Sequence, residues 1–525
     1  MPEYLTPGVY IEEFEIGAKP IEGVSTSTAG FLGEAERGPT IPQLVTSWLQ
    51  FQRVYGGYIT GSFLPNAVEG FFMNGGKRCY IGRIVRSRTD PATTPPTTPA
   101  TIATLKLAAG GTDALTIDSP GEGDWGNRIA VKVAAGTFNT TANPLFKLSV
   151  FYWKKLPTSL YDPETDLTTQ PRPTVTEVFD NLSVTEASSD YYEKKINGIS
   201  SLVRLSKKTG DSGAVPTDPA AITSLSGGGD GTGAITLVDY ERTDTNQPGN
   251  RKGLTGFGEI DDISIVYAPN TQTVAGLVGS LITHCETLMD RFAIIDATQG
   301  SANVSSIDPR SANDTKYAAF YYPWIKVIDP EAGLLRLVPP GGHVAGIYAR
   351  GDTERGVHKA PANEVVRGAA DLEFQITKGE QDVLNPRGVN VIRAFPGRGI
   401  RVWGARTLSS DTLWKYINVR RLFLYVEESI EEGTQWVVFE PNDEKLWGRV
   451  KATITEFLTR VWRDGALMGT KAEEAFFVKC DRTTMTQDDI DNGRLICIIG
   501  IAPVKPAEFV IFRIAQFPGG STVTE

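Results

Sequence analysis

Between Ile263 and Asp296 the chain passes through a buried-strand pattern (ISIVYAP), a helical pattern (TVAGLVGSLITHCETLMDR) and a second buried-strand pattern (FAIID). A strand, a crossover helix and a parallel strand close in essentially one hand, so this unit commits the surrounding chain to a parallel sheet covered by helices. Leu277, Leu281, Cys285 and Leu288 recur at helical spacing and supply the face that covers it. Earlier, Ala29 to Leu32 reads as a strand, the stretch from Leu44 to Val54 as a helix, and Cys79 to Val85 as another strand.

That last strand runs into TDPATTPPTTPAT, a Thr/Pro tract too stiff and polar to join a core, which marks a boundary. Beyond it ALTID, RIAVKVAAG and LFKLSVFYW alternate apolar and polar residues between turn clusters, so residues 102 to about 250 read as an inserted, mostly β domain. Two helices are legible near the C-terminus, from about Asp411 to Glu432 and from Asp443 to about Asp464, stopped by Gly433 and Gly465. In the second, Trp447, Val450, Ile454, Phe457 and Val461 form one apolar stripe, and Asn442 or Asp443 is placed to cap the first free N–H groups.

The 525 residues carry a formal net charge of -10, with no Lys/Arg run to overrule it, so nucleic-acid binding is excluded as a working hypothesis. Cys79, Cys285, Cys480 and Cys497 are scattered without a CxxC pair and read as buried thiols of a reducing compartment. The N-terminus lacks the basic start and apolar core of a secretory signal, and no apolar stretch spans a membrane. The protein is expected to be made and kept in the cytosol unless released by lysis.

Motifs for chemistry are weak. Gly210-Asp211-Ser212-Gly213 resembles the nucleophile loop of trypsin-like proteases, yet Ala214 replaces the following Gly, and His284, His343 and His358 all come after Ser212. The glycine run from Gly227 to Gly233 lacks the GK[ST] ending of a phosphate loop and reads as a flexible turn, and His343 in PPGGH reads as a turn residue. The pairs Asp261-Asp262, Glu427-Glu428 and Asp488-Asp489 read as solvated faces. No catalytic, cofactor-binding or metal-ligating residue is assigned, and the chain is expected not to be an enzyme.

The two chain ends are more informative. PAEFVIFRIAQF, from Pro506, reads as a strand with Phe509 and Ile511 on one face and Val510, Phe512 and Ile514 on the other. Such a strand either completes its own sheet or is donated to a neighbour's. TPGVYIEE, from Thr6, is a second short strand, with Val9, Tyr10 and Ile11, in an extended arm without a local partner.

With YYPWIKVIDP from Tyr321, VPPGGHVAGIYARGD from Val338, GVHKAPAN from Gly356, LNPRGVNVIRAFPGRGIRVWGARTL from Leu384, YINVRRLF from Tyr416, WVVFEPND from Trp436 and IGIAPVKPAEFVIFRI from Ile499, the arm resembles the tail sheath family of contractile phage tails and bacterial contractile injection systems. The inserted domain contributes little to the likeness. The resemblance implies an α/β fold, α+β overall: an α/β domain of subtilisin-like topology without a triad (26–88 and 255–370), an outward-facing β-rich insertion (89–254), a C-terminal α/β domain (371–504) completed by exchanged terminal strands, an N-terminal arm (1–25) and a donated C-terminal strand (505–525). It further implies stacked hexameric rings around an inner tube, baseplate and terminator or cap partners, and contraction without nucleotide. Arg420, Arg421, Arg449 and Arg463 are candidate contacts to tube or neighbouring subunits. A sheath terminator and a subtilisin-like hydrolase are the rival readings.

Overall fold

A computed structural model describes residues 20–89, 96–243, 247–330 and 332–514. The chain divides into two units, one of residues Ser25–Arg421 and one joining Met1–Val24 to Leu422–Glu525.

In the larger unit β1 (Ala29–Gly33), β2 (Gln43–Val45) and β3 (Cys79–Arg83) open a sheet that the chain leaves for β4 (Thr104–Ala109), β5 (Thr112–Asp118), β6 (Ile129–Ala135), β7 (Phe146–Tyr152), β8 (Val175–Leu182), β9 (Arg204–Ser206) and β10 (Thr223–Ser224). It returns through β11 (Ile265–Tyr267), β12 (Phe292–Asp296) and β13 (Ala318–Tyr322), adds the edge strand β16 (Glu364–Val365), and ends with β18 (Val389–Phe395) and β19 (Gly399–Val402), while β14 (Ile325–Ile328), β15 (Leu335–Val338) and β17 (Ala369–Leu372) form a separate small sheet. The main sheet has nine strands in the order β16-β19-β18-β13-β12-β11-β1-β3-β2. From β18 to β3 every neighbouring pair is parallel, with antiparallel strands at both edges.

All residues of β1, β11, β12 and β13 are buried, as expected of parallel strands covered on both faces. The β11–helix–β12 unit is present, with its helix at Leu277–Leu288. The helices Leu64–Met73 and Gly341–Arg355 pack on each other so closely that a Cβ on Gly342 would lie 2.4 Å from Ala67 backbone and one on Gly346 2.4 Å from Phe71 O. Here PPGGH opens a buried helix instead of forming a turn, and His343 lies inside it, its pKa lowered by burial to about 4.

The insertion contains a four-stranded antiparallel sheet, β10-β6-β7-β8, and a three-stranded one, β4-β5-β9, which share a core around Leu107, Ile117, Trp125, Val131 and Leu148. Buried polar links tie it to the main sheet: Arg83 donates to Glu122 O at 2.6 Å and to Gly38 O at 3.1 Å, and Tyr152 donates to Glu36 Oε1 at 2.8 Å. The glycine run, expected to be flexible, is instead bonded in place, with Thr101 N donating to Gly229 O at 2.8 Å and Gly228 N to Asn127 Oδ1 at 2.9 Å.

The expected helix from Asp411 begins at Ile417, because the preceding residues bond back to the chain before them: Thr407 N donates to Lys415 O and Ile417 N to Ala405 O, both at 3.0 Å. β18 and β19 extend the main sheet, and the second unit takes up the chain from Leu422. It contains most of the helix Ile417–Gly433, the helix Glu444–Arg463, and a two-stranded sheet of β20 (Phe476–Lys479) and β21 (Ile498–Ile501). Asp443 caps the second helix by accepting from Leu446 N at 2.8 Å, and Gly465 ends it at φ +80.

Gly433 has no left-handed φ. It is small because Ile21 packs against it, 2.6 Å from where a Cβ would sit. Arg460 donates to Ile21 O at 2.6 Å, and Val24 N donates to Ser429 Oγ at 3.1 Å, so the segment before the first strand is pinned along these helices.

At the end of β12 the carboxyl of Asp296 is buried and accepts the Tyr267 hydroxyl at 2.5 Å. Burial pushes its pKa up to about 7, against the opposing hydrogen bonds from Tyr267 and the Gly341 N–H. Between about pH 4 and 7 the unfolded chain ionises this group while the folded chain keeps it protonated, so stability falls by about 1.4 kcal/mol per pH unit and levels off above that window. Asp296→Asn keeps an acceptor for Tyr267 and removes this contribution. Urea midpoints recorded against pH should therefore diverge between the two proteins across the window; parallel curves would refute the assignment.

Candidate intersubunit interface

The C-terminal unit is unfinished as a sheet. β20 and β21 pair only with each other among the described residues, with the helix Glu444–Arg463 against β20. A lone two-stranded sheet is marginal in water, and its outer edges present unpaired backbone groups.

From β21 the chain continues through Ala502 to Val504, held by Met468 N donating to Ala502 O at 2.8 Å and Val504 N to Ala466 O at 3.1 Å. The segment that follows was expected to be a strand, and on its own it is not one: residues 505–514 belong to no strand or helix. Its apolar residues stand in solvent, with Phe509 69%, Val510 68%, Ile511 79%, Phe512 84% and Ile514 96% exposed. Five large apolar side chains in one short exposed run form the kind of patch that marks an interaction site. Val9, Tyr10 and Ile11 lie outside the described residues.

The four candidate arginines separate by burial. Arg420 and Arg421 are 2% and 3% exposed in the single chain. Arg420 lies over the rings of Tyr317 at 4.6 Å and Trp414 at 5.0 Å. Arg421 grips Asp352 with two hydrogen bonds, at 2.9 and 2.6 Å, and donates to Thr26 O at 2.7 Å. Arg449 and Arg463 are exposed. The Arg449 guanidinium lies 4.4 Å over Trp436 and 3.8 Å from Glu440. Sequence reasoning missed Phe439, fully exposed with φ 68 just before the second helix, a strained conformation for an aromatic residue; its place in WVVFEPND was visible, its backbone was not.

The protease-like loop is anchored through Asp211. Asp211 is held by Thr116 Oγ1 at 2.7 Å and Lys208 N at 3.0 Å, with an ion pair to Lys106, which places its pKa below the usual carboxylate range, near 2. Ser212 Oγ receives only Ala214 N, at 3.3 Å, among the described contacts. Among the described residues no group of His, Cys, Asp or Glu is placed to hold a metal ion, and no helix is long and apolar enough to cross a membrane.

Two adjoining family models match: the phage tail sheath protein central domain over residues 258–408 and the phage tail sheath C-terminal domain over residues 409–517. The tail sheath protein of Vibrio phage KVP40 is 27% identical over 220 residues, 41% of this chain and 31% of that protein. That of Burkholderia phage BcepMu is 25% identical over 310 residues, 54% of this chain and 62% of that protein. The chain thus spans less than two thirds of the length of these relatives. The contracted sheath complex PVC of an extracellular contractile injection system shares the fold, with a TM-score of 0.57 at 23% identity over 98% of this chain and 99% of that one. The chain belongs to the tail sheath protein family.

Proposed function

We propose that the chain is the structural subunit of a contractile sheath, which polymerises as stacked hexameric rings around an inner tube and contracts to drive that tube through a target envelope. The observation that carries this reading is the coexistence in one unit of a two-stranded sheet with open edges and an apolar chain end that covers nothing of its own. Donating Phe509 to Ile514 to a neighbour's sheet removes both defects at once. The arm bearing Val9, Tyr10 and Ile11 makes the second exchange, so each subunit is linked on two sides. Tail movement starts beyond Val504, which is still bonded to Ala466, so Lys505 and Pro506 form the hinge.

Membership of the sheath family supports the same reading. In it the larger unit has the subtilisin-like topology without its chemistry, the protein is not an enzyme, and the insertion faces outward. The partners are further copies of the chain, an inner tube protein, a baseplate and a terminator or cap. Exposed Arg449 and Arg463 are the remaining charged candidates for contact with tube or neighbours. The sheath assembles in the bacterial cytoplasm, and the energy of contraction is stored in the extended lattice.

The test is negative-stain electron microscopy and sedimentation of the chain expressed with its tube and baseplate proteins. Long hollow striated cylinders are the expected product. A single ring under these conditions would favour the terminator reading, and a persistent monomer would defeat the sheath reading.

A further inference from the structure

The register of β20 and β21 ends with Lys479 opposite Ile498, and continuing it by one residue beyond the strands brings Cys480 to face Cys497. Cross-strand pairs alternate between hydrogen-bonded and non-hydrogen-bonded positions, and the two differ in how closely side chains approach. Ala502 N donates to Ala475 O at 2.8 Å, which makes that facing pair a hydrogen-bonded one. Counting along the ladder, Phe477 with Gly500 and Lys479 with Ile498 are of the same kind, and Cys480 with Cys497 is of the other. At such positions facing Cα atoms lie about 4.5 Å apart. That falls within the ~4.4–6.8 Å over which a disulfide closes without moving the backbone.

Both sulfurs are free thiols, and each thiol influences the acidity of the other. Cys480 is buried and Cys497 is half-buried, so one thiol of the pair can meet a reagent and the other can follow. Thr484 Oγ1 donates to Ile496 O at 2.8 Å, closing the intervening loop beside them. Cys79 and Cys285 are buried in the other unit, on a strand and a helix of the parallel-sheet core.

We propose that Cys480 and Cys497 form an oxidation site at which a small-molecule disulfide converts the two thiols into an intrachain disulfide, fastening β20 to β21 at the root of the C-terminal tail. The Cys497 thiolate attacks one sulfur of the small disulfide, forming a mixed disulfide and expelling a small thiolate that takes up the proton Cys497 released. Cys480, once deprotonated, attacks the Cys497 sulfur and expels the second small thiol. Two protein thiols are oxidised, one small disulfide is reduced to two thiols, and no other reactant is needed. Burial pushes the Cys497 thiol up to about 12 and raises that of Cys480 as well, so the reaction is slow at neutral pH and accelerates as pH rises.

The native full-length chain is incubated with oxidised glutathione at mildly alkaline pH, alkylated, digested and mapped by mass spectrometry. Two of the four thiols should disappear, with the peptides of Cys480 and Cys497 joined and lighter by two hydrogens. Cys480→Ser should stop at the glutathione adduct on Cys497, and Cys497→Ser should leave Cys480 reduced. Survival of all four thiols, accumulation of only the adduct in the unsubstituted chain, or linkage between two chains would overturn the proposal.

Discussion

A chain ending at Lys505 is expected to fold and melt as the full-length protein does, and to lose the ability to polymerise. The folded unit does not depend on the tail, because Phe509, Val510, Ile511, Phe512 and Ile514 are mostly exposed and residues 505–514 are in no strand. In a neighbour's sheet the same residues would bury about 1.5–3 kcal/mol each. Several ladder hydrogen bonds would add about 0.5–1.5 kcal/mol apiece. Even after the ordering costs of association, losing the strand should weaken each link by at least about a thousandfold. Sedimentation velocity and thermal melting read the two effects separately: an unchanged melting temperature with no large species is expected. Cylinders of normal length from the truncated chain would remove strand donation from the mechanism.

The second large effect concerns the larger unit. Asp352→Ala should destabilise it by about 3–5 kcal/mol, because it leaves the Arg421 guanidinium buried without its counter-charge. The two side chains are only 3% and 5% exposed and bonded through both nitrogens, and Thr26 Oγ1 donates to the same carboxylate at 2.7 Å. Replacing both partners together, Asp352→Leu with Arg421→Met, should cost less than Asp352→Ala alone, since no charge is then stranded. Urea unfolding followed by circular dichroism reads the difference; a loss below about 1 kcal/mol in the single variant would show that water reaches the pair.

The two results bear on what sequence alone could reveal. The β11–helix–β12 unit was legible because both strands are uninterrupted apolar runs, and only burial on two faces explains such runs. Asp443 and Gly465 were legible because cap chemistry is local. The buried arginines were not: Arg421 is matched by Asp352, 69 residues upstream, and periodicity along one helix cannot distinguish a solvated cation from one paired across the fold. The start of the helix Ile417–Gly433 was misplaced for a related reason, since residues 411–416 are governed by bonds to 405–407 and not by their own propensity. Cys480 and Cys497 are too far apart to form a motif, and strand register alone brings them together.

The tail is the reverse case. Its alternation of apolar faces was plain in the sequence, yet the folded chain does not use it. Local pattern specifies a strand, while on the proposed function the sheet that would make it one comes from a neighbouring subunit.

Amide hydrogen exchange across residues 506–514, compared between unassembled chain and polymer, tests strand donation most directly. The account predicts rapid exchange in the free chain and exchange slowed by at least about a hundredfold in the polymer, with protection also rising along β20 and β21. Equally fast exchange of the tail in both states would contradict it.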